Sequence, residues 1–287
     1  MNRPVAFTLC LAAAFCLTGS AAAYDIILIS DSLAPGVAGN DHCDDTLVAF
    51  LEGLGYTVDT SGMDKAYREG ENPFDDPAKV AALNDAGMVI VSRRTDSGSY
   101  DSDRKNWNEL NNPLLLMSGY LTRGEGSGGR WGWTTGGSED ASLTETDVKL
   151  FGLGPVESFF DWSGAPTPGQ APKGVYLPLK DGSSEFDAAA TVFATFDDYA
   201  MMALIPEGTD LDALNGTTDK YGVVGAPRGF MGQWGYDDPA LYGFDSFITD
   251  GYKNAMAAMV ATLIPEPATI ALLGLGGLAL LGVRKKR

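Results

Sequence analysis

The sequence predicts an α/β body: a doubly wound, mostly parallel sheet flanked by helices, with a Gly/Trp-rich loop insertion. It lies between an N-terminal signal helix and a C-terminal transmembrane helix. Three observations predict the body. Short continuous apolar runs such as "YDIILIS" and "MVIVS" read as strands covered on both faces. Segments with helical spacing alternate with them, as crossover helices do between parallel strands. The residues between the two ends, Tyr24 to Ile264, keep one cysteine, Cys43, and one histidine, His42, so a buried core must hold the fold without disulfides or a cysteine-based zinc site.

Each element has its own local reason. "YDIILIS" opens the body as a strand, and the Gly-, Pro- and Asp-rich "DSLAPGVAGNDH" is a loop. Asp44 or Asp45 caps a helix on which Leu47, Phe50, Leu51 and Leu54 share a face, and Gly55 stops it. "YTVDT" is a second strand. Asp75-Asp76-Pro77 starts the next helix, with proline in its first turn. "MVIVS", "SDRKNWNEL" and "PLLLMSG" follow as strand, helix and strand. After Tyr120 the texture changes: "TRGEGSGGRWGWTTGGSED" is a long surface loop, "TVFATF", "YAMMALIP", "YGVVGAP" and "RGFMGQWG" are strands, and "FDSFITDGYKNAMAAMVATLI" is a closing helix.

Both ends read as addresses. Residues 1–23 combine a charged start, an apolar stretch from Val5 to Leu17 and the small-residue site Ala21-Ala22-Ala23, the pattern of a signal peptide that signal peptidase removes. At the other end, Ala268 to Val283 is an uncharged, mostly apolar run, about 24 Å long as a helix and near the short limit of a membrane span. Arg284-Lys285-Lys286-Arg287 stops transfer and holds that end in the cytoplasm. Pro265-Glu266-Pro267 blocks helix continuation just before it. Proline-Glu-proline, apolar helix and basic cluster in that order resemble the PEP-CTERM sorting signal over 263–287. The resemblance implies an exosortase-type sorting protease as partner, a membrane tether before processing, and then the cell envelope, outer surface or extracellular matrix. A plain C-terminal anchor is the alternative.

Between these ends, taken as one domain over 24–262, the surface is strongly acidic. The chain carries net charge −18, with 20 Lys and Arg against 38 Asp and Glu. Such a surface repels nucleic acid and anionic lipid and excludes nucleic-acid binding as a function. The order of strands and helices in the body resembles the class I glutamine amidotransferase-like superfamily, nearest its trehalose-utilisation (ThuA-like) branch. That resemblance implies a nucleophile in the turn after "PLLLM". Ser118 stands there instead of cysteine, no G-x-S-x-G elbow is present, and no histidine follows His42, which puts amidotransferase chemistry out of reach.

Three clusters remain as candidate sites. Ligands of open α/β sheets bind at the carboxyl ends of the strands, where the loop after the first strand places Asp31, Asp41, His42 and Asp45. Asp31 and His42, with Ser118, are the catalytic candidates; helix capping and solvated loop charge is the plainer reading. Asp41 and Asp45, with Asp101 and Asp103 of "TDSGSYDSDRK", could take a divalent cation. No cofactor is otherwise expected. Arg123, Arg130, Trp131 and Trp133, with Trp162, form either an aromatic platform for sugars or a loop folded back over the core. Two functions fit: a non-catalytic envelope or matrix protein that binds extracellular polysaccharide, or an extracellular hydrolase or carbohydrate-modifying enzyme using the loop after the first strand.

Overall fold

The computed structural model describes residues 24–71, 73–125, 128–136, 138–141, 147–150, 157–161, 175–178, 186, 190–196, 199–233 and 243–264. The signal helix (1–23), Trp162, the transmembrane helix (268–283) and the sorting residues Pro265 to Pro267 and Arg284 to Arg287 lie outside the described residues. Tyr24–Ile264 form one compact unit. Among the described residues no helix is long and apolar enough to cross a membrane.

The chain runs β1 (Tyr24–Ile29), α1 (Asp45–Gly53), β2 (Val58–Asp59), α2 (Pro77–Asp85), β3 (Ala86–Val91), α3 (Arg104–Asn108) and β4 (Leu114–Leu116). Then come β5 (Ser138–Ala141), β6 (Asp147–Leu150), β7 (Glu157–Ser158), β8 (Val175–Pro178), β9 (Thr191–Phe196) and β10 (Tyr199–Ile205). α4 (Leu211–Asn215), β11 (Arg228–Met231) and α5 (Asp250–Leu263) close it. The main sheet has the order β2-β1-β3-β4-β11-β10-β9-β6-β7, and β5 and β8 form a separate antiparallel pair.

The expectation of a mostly parallel sheet needs correction. β2-β1-β3-β4-β11 is parallel throughout, whereas every pairing from β11 to β7 is antiparallel. The parallel half follows from the apolar runs. Ile26 to Ile29 and Met88 to Val91 are fully buried, as strands covered on both faces must be. In the other half, β9 and β10 are joined through the short segment between Phe196 and Tyr199, a connection only an antiparallel pair can make.

Some helix starts are capped as expected, but Asp44 makes no cap hydrogen bond to α1. Asp76 accepts from the backbone N–H of Ala78 ahead of Pro77, and Thr249 accepts from Tyr252 at the start of α5. The expected strand "YGVVGAP" is another correction: it makes only an isolated bridge, Val223 with Asp210. The Asp212 carboxylate takes the backbone N–H groups of Lys220, Tyr221 and Gly222, and Gly222 adopts φ +75°. Those donors are committed to a side chain and cannot join a ladder. Burial alone would raise the Asp212 pKa, but the Thr217 hydroxyl and these N–H groups outweigh it and hold the carboxyl down at about 2.

Candidate functional site: a crevice between the first and third strands

β1 has β2 on one side and β3 on the other, so successive crossovers leave it in opposite directions. Right-handed crossovers then place their helices on opposite faces, and a crevice opens at the carboxyl ends of β1 and β3. There the structure has a cavity of about 220 Å³. Asp31 and Asp41 line it from the loop after β1, Lys65 and Arg68 from the segment after β2, and Arg93, Arg94 and Asp96 from the loop after β3.

The floor is built from repeated sequence. β1 and β3 each end in an apolar run followed by serine, Ser30 and Ser92, both fully buried. Each hydroxyl accepts from the backbone N–H two residues on, of Ser32 and of Arg94, at 2.9 Å. Each also donates to the same oxygen, Asp44 Oδ2, at 2.5 Å. Asp44 is buried and precedes α1 directly. Burial pushes its carboxyl pKa up, and the two serine hydroxyls oppose that shift. One carboxyl thus ties together both strand ends and the start of a helix.

The walls are ion pairs. Asp31, 6% exposed, receives Arg68 through Nε at 2.9 Å and Nη2 at 2.6 Å. It also accepts the Asp96 backbone N–H and the Tyr100 hydroxyl. Four donors saturate this carboxylate, which positions Arg68 and leaves little lone-pair capacity for proton abstraction. Arg94 reaches Asp41 at 3.1 Å. The Asp96 carboxylate turns back on its own loop, to Gly98 N and Ser99 Oγ.

Two cations differ from these. The Lys65 side chain is exposed on the rim and makes no hydrogen bond or ion pair among the described residues. Its backbone is held at φ +66° next to Asp64 at +54°, a left-handed pair of non-glycine residues. Two backbone bonds fix it there, Asp64 N to Ser32 O at 2.7 Å and Lys65 N to Ser30 O at 3.1 Å. Arg93 lies over the Tyr120 ring at 5.2 Å, and Arg123 lies over the same ring at 4.7 Å. The basic rim therefore continues from the crevice past the end of β4.

The other residues singled out from the sequence separate. His42 sits outside the crevice lining, its Nδ1 3.2 Å from Asp45 Oδ2 and without a hydrogen bond among the described residues. The Cys43 thiol donates to Asp41 at 3.2 Å. Burial, that hydrogen bond and the Asp41 charge push its pKa up to about 12, so it is no nucleophile at neutral pH. Ser118 is fully buried at the end of β4, and its hydroxyl has no hydrogen-bond partner among the described residues. Asp101 pairs with Arg130, while Asp103 precedes α3. Among the described residues no group of three or more His, Cys, Asp or Glu is arranged to hold a metal ion.

The aromatic platform is overturned at its centre. Trp131 and Trp133 are 0% exposed, and Trp131 stacks on Trp107 at 5.4 Å. Asn108 of α3 organises them: it accepts the Trp133 indole N–H and donates to the carbonyls of Trp131 and Tyr221. Satisfied in this way, the indoles fill the core, and the faces a sugar would need are covered. Gly132, at φ +71°, lies under the Tyr221 ring where a Cβ would stand 2.5 Å from it.

Sequence reasoning missed the cations Lys65, Arg68, Arg93 and Arg94, and took Asp44 for a helix cap rather than the floor group. A signal was there: three apolar strands each end in serine, at Ser30, Ser92 and Ser118, and "SRR" places paired arginines beyond the second of them.

Comparison with known proteins adds a motif match and distant structural similarity. The PEP-CTERM protein-sorting motif matches residues 263–287. No curated protein matches the chain. A solved structure of a cytoplasmic protein from Salmonella typhimurium is 10% identical and has a TM-score of 0.47, covering 84% of this chain and 100% of that one.

Proposed function

We propose that this chain is an exported envelope or extracellular-matrix protein whose body binds polysaccharide and performs no catalysis. The export half of the reading is carried by the PEP-CTERM motif over 263–287, the mark of an exported precursor processed by an exosortase. In this reading signal peptidase removes the N-terminal segment, the apolar tail holds the precursor in the membrane, and the exosortase releases it toward the cell surface. Two of the groups a hydrolase would use are already engaged, Asp31 by four donors and the Cys43 thiol as a protonated donor to Asp41, and Ser118 is fully buried.

Co-sedimentation tests it. Native processed protein from the producing bacterium, mixed with that bacterium's isolated extracellular polysaccharide, is expected to pellet with it and to leave its chain length unchanged. Protein that stays in the supernatant, or polysaccharide that is shortened, contradicts the reading.

A further inference from the structure

We infer that the crevice between β1 and β3 is the binding site for an anionic sugar unit, a uronic-acid residue of an acidic polysaccharide. The inference rests on the proposed polysaccharide-binding role and names the site and the ligand class within it.

Charge distribution is the starting point. In a chain of net charge −18, Lys65, Arg68, Arg93 and Arg94 converge on one cavity. Two of them are neutralised within its walls, Arg68 by Asp31 and Arg94 by Asp41. The rim cation that attracts a ligand is Lys65, whose ammonium has no partner among the described residues and whose backbone is locked in place by Ser30 and Ser32. The four cations of the lining exceed its three carboxylates by one, and a local positive excess on an acidic surface steers an anion to one place.

Size and polarity narrow the ligand. A cavity of about 220 Å³ is smaller than the roughly 300–1,000 Å³ of drug-sized pockets, which suits one monosaccharide unit of a chain running over an open edge. The carboxylates of Asp31, Asp41 and Asp96 in the same lining disfavour a dianionic phosphate. They favour a ligand with one negative charge and several hydroxyl donors, because Asp41 and Asp96, unlike the four-donor Asp31, keep lone pairs for hydroxyls while Lys65 takes the ligand's own carboxylate. A uronate has this combination. The strained left-handed backbone at Asp64 and Lys65 is the kind of local cost that persists where a side chain must be aimed.

The test uses polygalacturonate, neutral dextran and inorganic phosphate as probes, with native protein, Lys65→Glu and Lys253→Glu. The second variant makes the same charge change on α5, away from the crevice. Polygalacturonate is expected to bind in a salt-sensitive way, to be weakened at least about tenfold by Lys65→Glu, and to be little affected by Lys253→Glu. Dextran and equimolar phosphate should not displace it. Equal loss in both variants, or displacement by phosphate, overturns the crevice assignment while polysaccharide binding stands. Binding of dextran but not polygalacturonate overturns the acidic ligand alone. If no polysaccharide binds, both this inference and the reading beneath it fall.

Discussion

Asp44→Ala is the most informative perturbation of the crevice. Asp44 Oδ2 accepts two serine hydroxyls at 2.5 Å in a buried site. Hydrogen bonds to a charged group contribute roughly 1.5–3 kcal/mol each. Some of that is recovered when the serines turn to other acceptors and when the cost of burying the carboxylate is removed. A net loss of about 3 kcal/mol is expected, a fall in Tm of roughly 6–12 °C for a body of this length. Asp44→Asn separates charge from shape, since its carbonyl oxygen can still accept both hydroxyls. The Asp44 pKa is raised in the folded state. Its contribution is therefore complete below the unfolded carboxyl value and is lost as pH rises through the folded one. Relative to the parent, Asp44→Asn should gain stability as pH increases across that window. Thermal melts of the three proteins from pH 3.5 to 8 measure both effects. A melt of Asp44→Ala within about 2 °C of the parent, or an Asn-minus-parent difference flat in pH, would refute the reasoning.

Two further expectations follow from buried groups. Arg228 is fully buried without a carboxylate partner among the described residues, and its guanidinium donates to the carbonyls of Asn108, Leu110, Asn112 and Ala226. Arg228→Met strands these acceptors at about 1–3 kcal/mol apiece, so urea midpoints should rank parent, Arg228→Lys, then Arg228→Met; a methionine variant as stable as the parent contradicts the account. With its pKa near 12, the Cys43 thiol should react with a disulfide reagent at pH 8 about a thousandfold more slowly in folded than in unfolded protein, and matching rates would show that the thiol is not held by Asp41.

The parallel half of the sheet was legible because its strands are continuous apolar runs bounded by capping residues. Ile26 to Ile29 and Met88 to Val91 carry that signal without help from distant contacts. The antiparallel half was not, since nothing local tells β10 that its neighbours will be β9 and β11. The crevice rule pointed to the carboxyl edge of the sheet, and Asp31 and Asp41 line the cavity there. Their partners were not, because Arg68 lies 37 residues from Asp31 and Arg94 lies 53 from Asp41, and no periodicity links such pairs. The tryptophans show the same limit. "RWGW" fits an open platform and a buried cluster equally well until Asn108, 23 residues before Trp131, supplies the buried hydrogen bonds that settle it.

The central claim is that the chain is delivered by its ends and works through its body. The mass of the C-terminus of the protein isolated from the producing bacterium tests it most directly. Loss of Arg284-Lys285-Lys286-Arg287 together with the preceding apolar run is the predicted result. A mature protein that still ends in those four cations would contradict it.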